Sequence, residues 1–144
     1  MTRIAHLMTP DPAVVTSTTT AGEAGALMLA SRLRHLPVVD QDGALVGILS
    51  DRDLRGPIVG GTDDAARPPA IDAAVGALMT RDVAVHAPDD ELGAVARTMV
   101  ERRVGAIPIV DAARRPVGIV SFVDVLRRLA AEHEADARAV ERIE

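Results

Sequence analysis

The chain has 144 residues, one domain's worth, and 48% of them are apolar with Phe122 as the single aromatic, so its core must be aliphatic. A net charge of −5 without an aromatic stacking platform argues against nucleic-acid binding, and the lack of cysteine excludes disulfides, thiolate metal sites and thiol nucleophiles. The first six residues carry no apolar leader and no run nears the ~20 residues a membrane span needs, which predicts a soluble, cytoplasmic protein.

In chain order, an extended piece over residues 13–16 follows a turn rich in Pro and Asp. A helix follows, with Ala21, Ala24, Gly25, Met28 and Leu29 on one face and Thr18 as its N-cap. Strands over residues 36–39 and 44–49 are joined by Asp40-Gln41-Asp42-Gly43, a hairpin-turn composition. Pro37, and Pro108 in the corresponding strand of the second copy, confine the first of these strands to a sheet edge or a strand start. A closing helix starts after Ser50 and carries Leu54 and Ile58. The breaker-rich stretch from Gly56 to Pro69 reads as a mobile linker, and residues 71–78 as a short helix.

The same order then recurs. Met8 pairs with Met79, Pro37 with Pro108 and Asp53 with Asp124, a constant offset of 71 without a gap, and roughly a third of residues 7–55 are identical to their partners in 78–126. The second copy has its extended piece at 84–87 and Asp89 as a candidate N-cap. Its first helix carries Leu92, Val95, Ala96, Met99 and Val100, and its closing helix Val125, Leu126, Leu129 and Ala130. These stripes are broader than so small a core can cover, which predicts burial of some of that surface in a homodimer. The boundaries are 1–56 for the first repeat, 57–70 for the linker, 71–131 for the second repeat and 132–144 for a charged helical tail. That tail, with Ala137 and Val140, is either a solvated helix end or a docking arm for a second subunit.

Each repeat ends in the same phrase, Gly47-Ile48-Leu49-Ser50-Asp51-Arg52-Asp53 and Gly118-Ile119-Val120-Ser121-Phe122-Val123-Asp124. An apolar strand ends at a serine, and an acid follows three residues later where a helix begins. Ser-x-x-Asp there is a capping box, in which both side chains satisfy the helix's own first N–H groups. It also gathers a hydroxyl, a carboxylate and backbone donors at the positive end of a helix, a place suited to a ribose with a phosphate attached. Two features favour the ligand reading. The duplication keeps Gly, Ser and Asp while Asp51 and Arg52 become Phe122 and Val123, and a glycine before each serine would let a flat ligand approach the backbone.

The order strand, helix, strand, strand, helix, present twice, resembles the cystathionine β-synthase (CBS) domain pair, or Bateman module. The resemblance is carried by Leu-Met-Thr at the head, His35-Leu36-Pro37-Val38-Val39-Asp40 in the middle and Gly-h-h-Ser-x-x-Asp at the end. It implies an α/β fold of tandem β-α-β-β-α repeats packed sheet to sheet about a pseudo-two-fold axis. It also implies two clefts for AMP, ADP, ATP or S-adenosylmethionine, with no required cofactor. By that resemblance Asp53 and Asp124 accept the ribose hydroxyls and Ser50 and Ser121 contact phosphate or ribose, while Arg34 and His35 meet phosphate in the first repeat. The second repeat departs from this, having Gly105 and Ala106 there, so the clefts should differ in phosphate affinity, leaving one empty or suited to an uncharged tail. Val14, Thr16, Val85 and Ala87 line the adenine slot, or are plain core.

Signs of an enzyme are lacking. The histidines His6, His35, His86 and His133 show no metal-ligand spacing, and there is no nucleophile elbow, phosphate loop or dinucleotide glycine fingerprint. The sequence therefore predicts a regulatory module that senses an adenosyl ligand and signals to an unidentified partner protein, with a structural dimerisation module whose clefts are empty as the alternative.

Overall fold

The computed structural model describes residues 2–55 and 70–143, with the backbone alone at Ile143. The expected linker and Ile58 therefore lie outside the described residues. Two short strands, β1 (Thr9–Pro10) and β2 (Val15–Thr16), precede α1 (Ala21–Ser31), β3 (His35–Val39), β4 (Leu45–Ser50) and α2 (Asp51–Arg55). After the undescribed stretch come α3 (Val75–Leu78), α4 (Leu92–Arg102), β5 (Ala106–Val110), β6 (Pro116–Ser121) and α5 (Phe122–Ile143). One sheet has the order β2-β3-β4 and the other β1-β6-β5. The mixed α/β architecture is thus present, with one small sheet in each of two compact units.

The units do not follow the repeats. One, here unit 1, combines the described residues of 1–10, 84–110 and 117–144, and unit 2 combines those of 11–83 and 111–116. Each repeat's Leu-Met-Thr head has crossed into the other repeat's unit. In unit 1, β1 pairs antiparallel with β6, Thr9 opposite Ile119. In unit 2, Thr80 and Ile48 exchange two backbone hydrogen bonds of 2.9 Å.

This exchange explains the glycine of each closing phrase, and it corrects the expectation that the glycine admits a ligand. A Cβ on Gly47 would lie 2.5 Å from Met79 Sδ and 2.9 Å from the Thr80 carbonyl oxygen, and one on Gly118 would meet Met8. The head methionine fills the space that the missing side chain leaves.

Each unit has its own aliphatic core. Ala24, Met28, Leu36, Val38, Leu49, Val75 and Met79 are among the buried residues in unit 2; Ile4, Leu92, Val95, Met99, Ile107, Ile109, Val120 and Val125 form the core of unit 1. As expected, the cores leave part of the helix stripes uncovered: Leu29 is 83% and Val100 78% exposed, and of the α5 stripe Val125 is buried while Leu126, Leu129 and Ala130 face outward.

Three local expectations need correction. The N-caps lie later than Thr18 and Asp89: Thr20 caps α1 in a reciprocal box with Glu23, and Glu91 precedes α4 without a side-chain cap bond. Thr18 instead meets the Thr16 hydroxyl, and Asp89 pairs with Arg3. Pro37 is buried in β3, the central strand, not at an edge. Its neighbour β2 begins pairing only at Val38, and Ile48 opposite it directs its N–H to Thr80, so no ladder bond needs a proline N–H. The extended piece at 84–87 contributes a single parallel bridge, His86 to Ile109.

Candidate functional site

The two Ser-x-x-Asp phrases have the same geometry. In unit 2 the Ser50 N–H donates to Asp53 Oδ2 at 2.8 Å and the Asp53 N–H donates to Ser50 Oγ at 3.2 Å. In unit 1 the Ser121 N–H donates to Asp124 Oδ2 at 2.9 Å and the Asp124 N–H donates to Ser121 Oγ at 3.3 Å. Both are complete capping boxes. All four residues are half-buried. The cap uses one carboxylate oxygen; among the described residues Oδ1 of Asp53 and of Asp124 accepts no hydrogen bond. A carboxylate has about four lone-pair sites, so each box retains acceptor capacity for a hydroxyl donor.

Around the unit 2 box the chain gathers charge. His35 stands opposite Ser50 in the β3–β4 register, and the Arg34 carbonyl accepts from the Asp51 N–H at 2.8 Å. Burial holds the His35 imidazole below its ordinary value, against the pull of Asp51 and Asp53 and with Arg34 and Arg52 acting in the same direction as burial. For Asp51, burial pushes the carboxyl up, but the hydrogen bond and charge of Arg55 outweigh it and hold it below the usual range. Arg52 lies inside the first box and is exposed, whereas Val123 stands at its place in the second.

Unit 1 has the same backbone with different side chains. The Phe122 N–H donates to the Gly105 carbonyl at 2.9 Å, and Gly105, Ala106, Phe122 and Val123 replace Arg34, His35, Asp51 and Arg52. Asp124 is the one charged residue among these five positions.

The four residues assigned to the adenine slot lie apart from the boxes. Val14 and Thr16 are exposed on either side of buried Val15. Val15 and Thr16 stand opposite Val38 and Val39 at the far end of β3 from His35, roughly 10 to 13 Å along the strand. A ligand touching both sets must lie along β3. In unit 1, Val85 is half-buried and Ala87 exposed, flanking His86. Ala106 is buried at the start of β5.

His86 belongs to a cluster that the sequence reading missed. Its Nδ1 lies 2.6 Å from Asp90 Oδ2 and its Nε2 2.8 Å from Thr98 Oγ1. Asp90 Oδ2 also accepts from the Ala87 N–H, and this bond, followed by that to His86, holds the carboxyl below its usual range. Carboxylate, imidazole and hydroxyl stand in the order of a hydrolase triad. The Thr98 hydroxyl, however, donates to the Ala94 carbonyl at 3.1 Å, so it presents an acceptor, not a proton, to the imidazole. The network orders residues 85–90 and does not activate a nucleophile. The offset was the missed signal, since Val15, Thr19 and Leu27 stand at the equivalent positions of the first repeat.

A groove of about 620 Å³ in unit 2 lies between α1 and α2, lined by Gly25, Met28, Leu29, Arg32, Leu33, Arg34, Asp51, Leu54 and Arg55. Ser50, His35 and Asp53 are not among its lining residues, so it is distinct from the box. No described helix is long and apolar enough to cross a membrane.

Fold and boxes together define a tandem-repeat α/β protein with one potential acceptor site in each unit. The CBS domain profile matches residues 4–60 and 75–131, and the chain belongs to the CBS domain family as a pair of such domains. The CBS domain pair of protein MJ0100, solved with 5′-methylthioadenosine and S-adenosyl-L-methionine, is 27% identical with a TM-score of 0.79, covering 92% of this chain and 98% of that one. CBSX2 in complex with AMP is 27% identical with a TM-score of 0.77, covering 91% and 98%. A homoserine O-acetyltransferase of Methanococcoides burtonii is 31% identical over 88% of this chain, but the chain spans only 24% of that enzyme's length.

Proposed function

We propose that this chain is a regulatory module, not an enzyme, which binds an adenosine-containing ligand such as AMP, ADP, ATP or S-adenosylmethionine and passes its occupancy to a protein that it regulates. The observation that carries the reading is the unused Oδ1 of Asp53 and Asp124 in two half-buried boxes. A carboxylate placed so accepts both hydroxyls of a ribose. The AMP, methylthioadenosine and S-adenosylmethionine complexes of its structural relatives support it. Asp53 and Asp124 hold ribose; Ser50 and Ser121 contact ribose or phosphate; Arg34, His35 and Arg52 meet phosphate in unit 2. Val14, Thr16, Val85 and Ala87 take the adenine, with Ala106 beside the second ligand. The exposed Leu29, Val100, Leu126 and Leu129 favour a homodimer, which we place in the cytoplasm. Neither nucleic acid nor membrane is a partner in this reading.

The completeness of the two caps favours a second reading, a structural dimerisation module with empty sites. Thermal unfolding with a panel of ATP, ADP, AMP, NAD and S-adenosylmethionine separates the two. A ligand at 100 times its Kd stabilises the folded state by about 2.7 kcal/mol, and Asp53→Ala and Asp124→Ala together should abolish that gain. No stabilisation by any of the five supports the structural reading.

A further inference from the structure

The two boxes share a backbone but not the side chains around their helix starts. Beside the unit 2 box stand Arg34, His35, Asp51 and Arg52, both arginines exposed. In unit 1 the offset of 71 puts Gly105, Ala106, Phe122 and Val123 at those positions. The Phe122 ring lies over the glycine that replaces Arg34: a Cβ built on Gly105 would be 3.5 Å from Phe122 Cδ1 and 3.8 Å from Cε1. The Phe122 N–H donates to the Gly105 carbonyl at 2.9 Å, which holds the two residues together. The chain's single aromatic side chain is nevertheless 51% exposed, and Val123 beside it 39%. Arg103 corresponds to Arg32, so the arginine ahead of each pair is common to both units and the difference lies at the box itself.

We infer that Phe122 is a specificity-determining residue of the unit 1 site, which takes an adenosyl compound whose 5′ substituent is apolar and uncharged, such as a thioether, and discriminates against a 5′-phosphate, while unit 2 takes the phosphorylated form. The inference rests on the adenosine reading above and divides its ligands between the two sites. A 5′-phosphate in unit 1 would bring a second anion to a site that already holds Asp124, against a phenyl ring and a valine. No cation stands at the positions of Arg34 and Arg52 to offset its lost hydration. The positive end of α5 compensates little, because the Asp124 carboxylate already occupies the first turn and accepts the Ser121 N–H. An apolar 5′ group meets no such cost and covers the exposed surface of Phe122 and Val123. In unit 2, Arg34 and Arg52 supply charged donors for a phosphate.

Asp53→Ala removes the unit 2 acceptor and leaves unit 1 as the site to be read. Calorimetric titration of that chain should show 5′-methylthioadenosine binding about tenfold or more tightly than AMP. Adding Phe122→Arg, at an exposed position, should erase or reverse the preference, whereas Phe122→Leu should keep it. A second measurement uses the wild-type chain and holds whether or not Asp53→Ala folds: the two compounds should bind together, so that a chain saturated with AMP still takes up one 5′-methylthioadenosine. Equal or tighter binding of AMP by Asp53→Ala, a preference unmoved by Phe122→Arg, or complete exclusion of 5′-methylthioadenosine from the wild type by AMP overturns the inference and leaves the adenosine reading standing. Failure of the wild-type chain to bind 5′-methylthioadenosine or any of ATP, ADP, AMP, NAD and S-adenosylmethionine overturns both.

Discussion

Unit 1 and unit 2 share their element order and a closing phrase yet differ wherever that order does not dictate the side chain. Unit 2 has Val15, Thr19 and Leu27 where unit 1 has the His86–Asp90–Thr98 network. It surrounds its box with Arg34, His35, Asp51 and Arg52 where unit 1 has Gly105, Ala106, Phe122 and Val123. What stays fixed has a physical cause in both. The head methionine needs a glycine to pack on, the closing helix needs its Ser-x-x-Asp cap, and the hairpin needs Asp40 or Asp111 to accept two backbone N–H groups at its turn. Retained residues therefore report the fold first, and the divergent ones around the boxes report how the two sites differ.

The glycines give the strongest way to break the symmetry. At Gly47 an added methyl meets Met79 and also the Thr80 carbonyl oxygen, a backbone atom held by the Ile48 N–H, whereas at Gly118 its three nearest atoms all belong to the Met8 side chain. Gly47→Ala should cost about 3 kcal/mol and Gly118→Ala about 1 kcal/mol, measured by urea unfolding. Equal costs would mean that the two exchanged heads are held alike.

The polar network offers a smaller effect with a built-in control. His86→Val alone leaves Asp90 and Thr98 short of a partner and should destabilise by about 2 kcal/mol. Replacing all three residues by those of the first repeat, His86→Val with Asp90→Thr and Thr98→Leu, should return most of that loss, because Val and Leu leave no polar group unpaired and the introduced threonine can accept from the Ala87 N–H as Thr19 accepts from the Thr16 N–H. A triple variant less stable than the single one would show that unit 1 cannot accept unit 2's packing.

Acidity should separate the units further. The His35 value in unit 2 is lowered by burial, so the unfolded chain binds the proton first, and stability should be complete above about pH 6.5 and decline as pH falls below it. The Asp90 value in unit 1 is lowered by its bonds from Ala87 and His86. Its contribution is present above about pH 4 and lost as pH falls through the folded value. Urea midpoints across pH 3 to 8 should lose the upper step in His35→Gln and show a smaller lower one in Asp90→Asn, the remainder belonging to Asp51. Retention of both steps in both variants would assign them elsewhere.

The repeat, its strands, the hairpins and the closing boxes were legible in the sequence because each rests on local chemistry: periodicity, turn residues and a capping pair. The exchange of the heads was not, since Leu-Met-Thr reads alike whichever sheet it joins. It also reversed the meaning of Gly47, which the sequence alone associates with a ligand and the packing associates with Met79. Pro37 misled for a related reason: a proline excludes a ladder bond, but nothing local tells that β2 leaves that bond unmade. The role of His86 is not legible from metal-ligand spacing, because its partners, Asp90 and Thr98, form a hydrogen-bond network with it.

The claim that Asp53 and Asp124 keep an oxygen for a ribose is tested most directly by calorimetric titration of the wild-type chain with AMP and with 2′-deoxy-AMP. A site built around the diol loses a hydrogen bond when one hydroxyl is missing, and the deoxy form should bind about 1 to 3 kcal/mol more weakly, about 5- to 160-fold. Equal affinity for the two would contradict the assignment and leave both acids as caps alone.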